Sequence, residues 1–396
     1  MTWTCGRLAA VRAGPGEVFT VALRLGMTSF GGPIAHLGYF RAEYVERRRW
    51  LSDAAFAELV ALGQFLPGPA SSQVGMAVGY TRAGLPGAVA GWAGFTLPSA
   101  VAMTAFGALA AAGSVGDEVW LRALKLVAVA VVLDAVIGMA RRLATTATTA
   151  VMAVLTGVVL LLLPTSGLVQ VGCLAAAGLL GLLLFRSESP SDTPPLPLQV
   201  ARRTGAVALA AFAVLLLVLP LLSGLGTLLE LAHAMYRAGA LVFGGGHVIL
   251  PLMQAETVPT LVSEDAFLAG YGAAQALPGP LSTFATYLGQ VAAGLPGALV
   301  STIAVFLPGF LILLGVLPFW QRVRSDPRVQ AALVGVNAAV VGLLGAALID
   351  PIATGAVTSG VDAVFAAALF VALHCVKAPP WSVVLAAVLA SPLLGL

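Results

Sequence analysis

A chain of 396 residues that is 59% hydrophobic, only 9% charged and of formal net charge +3 reads as an integral membrane protein, with the lipid bilayer as its surroundings and no nucleic-acid partner. Its 45 glycines and 24 prolines suit a polytopic helical bundle, and no alternating strands of the kind that build membrane barrels appear. Cys5, Cys173 and Cys375 are too scattered for a disulfide framework and the histidines are not grouped, so neither metal nor cofactor is expected.

Residues 1–16 carry Arg7 and Arg12 without a small-residue cleavage site, and read as a retained cytoplasmic tail. A short apolar helix over 17–30 ends at Gly31-Gly32-Pro33. An amphipathic piece follows, with Arg41, Glu43, Glu46 and the run Arg47-Arg48-Arg49-Trp50, an interfacial anchor that places Trp at headgroup level. Ser52 caps a helix from about Asp53, which stops at Pro67-Gly68-Pro69 and restarts through Ser71-Ser72. Pro86 opens a long span to about 112, and further apolar segments cover 119–140, 146–163 and 167–185. The stretch 186–203 is a polar, Pro-rich linker. One additional apolar segment, 204–222, has no counterpart in the first half, and 223–396 begins a second copy of 1–185.

The duplication is visible by subtraction. Glu17, Arg24 and Phe30-Gly31-Gly32 map onto Glu230, Arg237 and Phe243-Gly244-Gly245 at an offset of 213. His36, Ser52, Gln64, Pro67-Gly68-Pro69 and Ser71-Ser72 map onto His247, Ser263, Gln275, Pro278-Gly279-Pro280 and Ser282-Thr283 at 211. Gly84-Leu-Pro-Gly-Ala88 maps onto Gly294-Leu-Pro-Gly-Ala298 at 210. Broken helices are tolerated in a membrane only where they meet protein or a water-filled cavity. If both broken segments of each half are re-entrant and the tail is inside, most arginines face the cytoplasm. The extra span then inverts the second half, whose loops carry Glu256, Glu264 and Asp265 without Lys or Arg. The expected fold is therefore all-α, with two inverted-topology repeats of broken helices joined by one extra transmembrane helix. The N-terminus lies in the cytoplasm and the C-terminus outside. Breaks that span fully instead of re-entering keep the same parity.

Arg24 and Arg237 are the sharpest chemical signal, because an arginine at bilayer depth costs roughly 2.5–3.5 kcal/mol even on lenient scales. Each stands six residues before the Phe of a Phe-Gly-Gly break and seven after a glutamate. One reading makes them forked donors to a shared tetrahedral oxyanion; the other has Glu17 and Glu230 simply neutralise them. Pro69 and Pro280 suit the first turn of a new helix. That helix end would aim free N–H groups, together with the Ser71, Ser72, Ser282 and Thr283 hydroxyls, at an anion, or serve only as a kink. Gln64 and Gln275 could bind substrate or tie down broken backbone. His36 and His247 are either satisfied helix-end donors or, with Glu17 and Glu230, coupling groups. Asp134 and Asp362 lie in apolar segments without twins; each could carry a coupling proton, pair with an arginine or cap a helix.

The motifs Phe30-Gly-Gly-Pro-Ile-Ala-His36, Leu62-Gly-Gln-Phe-Leu-Pro-Gly-Pro-Ala-Ser-Ser-Gln-Val-Gly75, Phe243-Gly-Gly-Gly-His-Val-Ile-Leu-Pro251 and Gly270-Tyr-Gly-Ala-Ala-Gln-Ala-Leu-Pro-Gly-Pro280 resemble those of chromate ion transporters, in their long two-domain form. The resemblance implies export of chromate from the bacterial cytoplasm across the inner membrane, driven by the electrochemical gradient, with sulfate as the chemically similar anion. Ser282 departs from the Phe expected at its place, which bears on ion preference. Symmetric breaks and arginines suit a secondary transporter of alternating access. A sulfate-type carrier and a passive anion channel stay open as alternatives, and a homodimer is left open too. A membrane-embedded enzyme using the two histidines is the remote rival, without a nucleophile or metal cluster to support it.

Overall fold

The computed structural model describes residues 14–112, 118–163, 167–185, 200–243 and 246–394. Among them every regular element is helical. Helix α1 (Pro15–Thr28) is followed by α2 (Gly32–Phe40), a π-turn over Arg41–Arg47, α3 (Asp53–Phe65) and α4 (Ala70–Ala111). Then come α5 (Glu118–Leu143), α6 (Ala147–Leu162), α7 (Gly167–Leu184) and α8 (Arg202–Leu222). The second half holds α9 (Thr227–Ala240), α10 (Ile249–Thr257), α11 (Glu264–Ala274), α12 (Phe284–Val316), α13 (Trp320–Ser325) and α14 (Pro327–Ala347). It ends with the single turn α15 (Thr354–Ala356), α16 (Gly360–His374) and α17 (Pro380–Leu394). Six described helices are long and apolar enough to cross a membrane, and α6, α16 and α17 are shorter apolar helices. Together they make an all-α integral membrane protein.

Local chemistry repeats at the helix caps and bends. The Ser52 hydroxyl accepts from the Ala55 N–H at 3.2 Å, and Ser263 from the Ala266 N–H at 3.3 Å, so both α3 and α11 start on a serine cap. Helix α4 bends at Ala83 (φ −142°, ψ 23°) and Gly84 (φ 62°, ψ −148°); α12 bends at Ala293 (φ −148°, ψ 23°) and Gly294 (φ 63°, ψ −156°). The conformation of Gly84 and Gly294 is open essentially only to glycine, so each long helix is really a tight hairpin of a short arm and a long one. The arms touch at glycine: a Cβ on Gly79 would fall 2.2 Å from the Gly87 carbonyl oxygen, and one on Gly289 2.2 Å from that of Gly297.

One expectation is corrected at the proline breaks. Pro69 and Pro280 stand at the N-cap, one residue ahead of the helix instead of in its first turn. In the second half the restart is a 3₁₀ turn, Leu281–Thr283, before α12 begins.

The halves interlock. Helix α1 packs on α4 and its counterpart α9 on α12, while α4 and α12 pack on each other. Helix α5 packs on α16 and α17 of the second half, and its counterpart α14 packs on α6 and α7 of the first. Each half thus lends its long central helix to the other. The extra helix α8 lies against α9 and α12 and is otherwise exposed, as a lipid-facing helix should be. At the arginine-rich turn, the guanidiniums of Arg48 and Arg82 lie 5.4 and 5.0 Å from the Trp50 ring, which stacks on Tyr44. Burial lifts the Glu43 carboxyl, but hydrogen bonds from Arg48 and Arg47 outweigh it and hold the group below its usual range.

The hairpin contacts predict sharp glycine dependence. Gly79→Ala and Gly289→Ala should each lower stability by about 1–3 kcal/mol through collision with backbone. Gly138→Ala, in open space inside α5, should be neutral or stabilising by about 0.5–1 kcal/mol. Thermal melts in detergent measure this, and parental melting of both Gly79→Ala and Gly289→Ala would contradict the packing.

Candidate functional site

Helix α1 is two-faced. Val18, Val21, Ala22, Leu25 and Gly26 are buried, and a Cβ on Gly26 would lie 2.6 Å from the Phe95 carbonyl oxygen of α4. The other face, at three- and four-residue spacing, presents Glu17, Thr20, Arg24 and Thr28 and leads to the break at Gly31, all of them exposed. A charged stripe that reaches the middle of a membrane protein needs water or an anion opposite it. Arg24 makes no ion pair among the described residues. Glu17 does not neutralise it, because Glu17 is 3.3 Å from Arg48. Gly31 (φ 96°) and Gly32 (φ 78°) then turn the chain back into α2 through backbone that other residues rarely adopt.

The four breaks meet. The Gly68 N–H donates to the Val242 carbonyl at 2.7 Å, and the Gly279 N–H donates to the Ser29 carbonyl at 2.9 Å. Ser29 and Val242 are counterparts, as are Gly68 and Gly279, so the two bonds are one contact made twice. Reciprocal contact of this kind is what a two-fold relation between the halves demands. The Gln73 amide donates to the Pro67 carbonyl at 2.9 Å and to the Gly309 carbonyl at 3.1 Å, which pins the first break to α12. On the opposite side Gly279 approaches Ser99, the counterpart of Gly309. His36 lies 3.2 Å by its Nδ1 from the Ser71 hydroxyl and edge-on to Phe95.

Around this crossing sit buried polar atoms with no partner: Ser29 Oγ, His36 Nε2, Ser72 Oγ, Thr96 Oγ1 and Gln275 Nε2. Buried groups of this sort are normally satisfied, and a run of them marks a place for water or an ion. These five can donate and none is a carboxylate, whereas Gln73 Oε1, an acceptor also without a partner, stands at the same crossing; donors outnumber acceptors there, which favours an anion. Ser71 and Ser282 are buried beside them, while Gln64 is exposed on α3. Thr283 serves the kink, since its hydroxyl donates to the Pro280 carbonyl at 2.9 Å. Gly244 and Gly245 lie outside the described residues.

The arginine of the second half is enclosed where that of the first is exposed. Arg237 is 3.0 Å from Glu256, with side chains only 18% and 12% exposed. The pair is roofed by Gly167, where a Cβ would fall 1.9 Å from the Glu256 carboxylate. Glu230, the expected neutralising partner of Arg237, makes no ion pair among the described residues. His247 Nδ1 lies 2.7 Å from the Tyr271 hydroxyl, and Gly272 packs directly on the Leu124 carbonyl of α5. On the other side α3 is met by α13, where Arg324 lies 2.7 Å from Glu58 and Trp320 stands edge-on to Phe65. The two guanidiniums are therefore not brought together: Arg237 faces Glu256, and Arg24 faces outward from α1. Sequence reasoning missed Glu256 because it has no first-half twin, Val45 standing at its place. It missed Gln73, although the residue follows Ser71-Ser72 directly. An apolar cavity of about 160 Å³, lined by Met76, Val89, Trp92, Ile303, Phe306, Leu307 and Phe310, offers an anion nothing.

The family described as chromate transporter matches residues 16–182 and again 229–391, once in each half. The chromate transport protein of Pseudomonas aeruginosa is 30% identical over 339 residues, which is 84% of this chain and 80% of that one. That of Cupriavidus metallidurans is 30% identical over 336 residues, 83% and 80% of the two chains. A probable chromate transport protein of Synechococcus elongatus is 28% identical over 342 residues, covering 83% and 82%. No solved structure matches.

The hydroxyls give an asymmetric prediction. Ser72→Ala removes a free donor and should weaken binding of a tetrahedral oxyanion by about 1.5–3 kcal/mol. Thr283→Val removes only a kink contact and should change affinity less than about three-fold, or under 0.7 kcal/mol. Equilibrium binding of labelled chromate to purified protein decides it; equal losses in both variants would contradict the assignment.

Proposed function

The chain belongs to the chromate transporter family, and on that premise we propose that it is a secondary carrier that exports chromate from the cytoplasm by alternating access. The observation that carries the mechanism is the unequal state of two equal halves. Arg24 stands on an exposed polar stripe without an ion pair among the described residues, while Arg237 is latched to Glu256 beneath the Gly167 backbone. A passive channel would hold both approaches open at once; a carrier holds one open and one shut. The arginine-rich side of the first half is the cytoplasmic one under the positive-inside bias, so the open stripe faces the side from which chromate is expelled.

In this mechanism a cytoplasmic dianion enters along the stripe and meets Arg24, whose fork suits a tetrahedral oxyanion. It then passes to the donors where the breaks cross, Ser29, Ser72, His36 and Gln275, and to the glycine-broken backbone at Gly31 and Gly32. Exit requires Arg237 to leave Glu256. The anion supplies the competing negative charge that makes the exchange affordable in an interior where an unpaired arginine is costly. Arg24 and Arg237 thus act in turn, on one anion in two states. Sulfate shares the shape and charge these donors read, and competes.

Chromate flux in sealed inside-out vesicles tests the function. Parental protein should concentrate chromate in the lumen, against protein-free vesicles that do not. Arg24→Lys should reduce transport at least about ten-fold, because charge is kept but the fork is lost. Glu17→Gln should transport well, since Glu17 is held by Arg48. The double replacement of Glu17 and Arg24 by Gln should stay inactive; its recovery would mean Arg24 only neutralises a glutamate.

A further inference from the structure

Gln73, near the start of α4, is 1% exposed and has no polar twin, since Phe284 stands at its place in the second half. Its Nε2 donates to two carbonyls, that of Pro67 at 2.9 Å and that of Gly309 at 3.1 Å. A carbonyl oxygen can face only the NH2 end of an amide, so the side chain has one orientation and Oε1 is turned away from both. That oxygen is buried without a partner, at the crossing where Ser29, His36, Ser72, Thr96 and Gln275 hold free donors. The polar set is built once. Val242, Thr283 and Phe306 stand where the first half has Ser29, Ser72 and Thr96, and the Thr283 hydroxyl is taken by the kink.

Donors alone suit an anion whose four oxygens all accept. An acceptor placed among them disfavours such an oxygen, because two acceptors then meet with no hydrogen between them, and it favours a hydroxyl. Charge points the same way. None of the free donors at the crossing carries a fixed charge, Arg237 is held by Glu256, and Arg24 lies on the exposed stripe. The cost of taking an ion out of water grows as the square of its charge, so neutral donors hold a monoanion far more readily than a dianion. Sulfate is a dianion throughout the neutral range, whereas chromate gains its first proton close to neutrality.

We propose that the crossing holds the oxyanion in its singly protonated form, with Gln73 Oε1 accepting the anion's O–H, and that Gln73 thereby sets chromate above sulfate. The dianion gathered at Arg24 takes its proton from hydronium in the water along the stripe: one O–H bond breaks in hydronium and one forms on the anion. The inference rests on the anion-carrier reading and names the form in which its substrate is held.

The other titratable groups on α4 and the elements packed against it have places of their own. On α4, Tyr80 and Arg82 stand at the hairpin bend. On α1, Glu17 meets Arg48; on α3, Asp53 meets Arg41 and Glu58 meets Arg324. Tyr287 of α12 donates to the Ala266 carbonyl. On α11, Tyr271 lies beside His247, Asp265 meets Lys125 and Glu264 opens the helix. Asp134 of α5 meets His374, and Asp362 of α16 meets Arg122. On α2, Tyr39 is exposed and His36 lies beside Ser71, within the site. Titration of His36 would act on chromate and sulfate alike, which makes sulfate the control.

Equilibrium dialysis of labelled chromate and labelled sulfate against purified protein in detergent, from about pH 6 to about pH 8, tests this. In the parent, sulfate should bind weakly and with a level profile. Affinity for total chromate should fall as pH rises, approaching about ten-fold per pH unit as the protonated form disappears. Gln73→Met fills the space without an acceptor, and Gln73→Lys keeps donors for the Pro67 and Gly309 carbonyls but also offers no acceptor. Both should flatten the chromate profile and lower the chromate-to-sulfate affinity ratio at about pH 6 by about ten-fold or more. A merely structural bridge would leave that ratio unmoved. Affinities for both anions that rise together on acidification would overturn the proposal, and so would level profiles for both. The parental ratio in either folded variant would overturn the role of Gln73. No chromate binding by the parent at any pH would overturn the carrier reading itself.

Discussion

The whole arrangement depends on backbone groups freed where helices break inside a membrane. Such groups cannot be left to lipid, and here the first half's break is satisfied by the second half and the second's by the first. Gly68 donates to Val242, and Gly279 donates to Ser29. Neither half could keep its breaks alone. The exchange of long helices, α5 onto α16 and α17 and α14 onto α6 and α7, follows the same reciprocity. Duplication therefore yields two copies that complete each other at the centre.

Reciprocity at the centre coexists with inequality at the approaches. Two arginines in matching sequence positions have different surroundings, because Glu256 has no twin and α5 covers α11 while α3 meets α13. Arg237 is paired and roofed, whereas Arg24, exposed on a polar stripe, makes no ion pair among the described residues. Ion pairs in such surroundings are held by geometry as much as by charge, and Gly167 supplies the geometry by letting backbone approach the carboxylate. A few local contacts thus distinguish the open side from the shut one.

The fold was largely legible from the chain. Apolar runs fixed the helices, the 210–213 offsets revealed the duplication, and Ser52 and Ser263 marked helix starts that the structure places where serine caps belong. The breaks were legible because glycine and proline act locally. What was not legible depends on partners far apart in sequence. Arg237 meets Glu256 and Glu17 meets Arg48 instead of the nearer candidates, since helix direction and packing, not spacing, decide which side chains face each other. Gln73, read as part of a motif, proves to bridge two helices from different halves. The position of Pro69 and Pro280 at the N-cap instead of within the first turn is a one-residue difference of the same local kind.

In alternating access the two approaches are never open together. Single cysteines at Thr20 and at its counterpart His233, in a background without native cysteines, report this directly by their rates of alkylation in membranes. With the Arg237–Glu256 pair intact, Thr20→Cys should react quickly and His233→Cys slowly. Glu256→Gln should reverse the order, with one site slowing as the other quickens. Rapid labelling of both sites in the same protein and the same condition would mean a continuous pore, and would contradict alternating access.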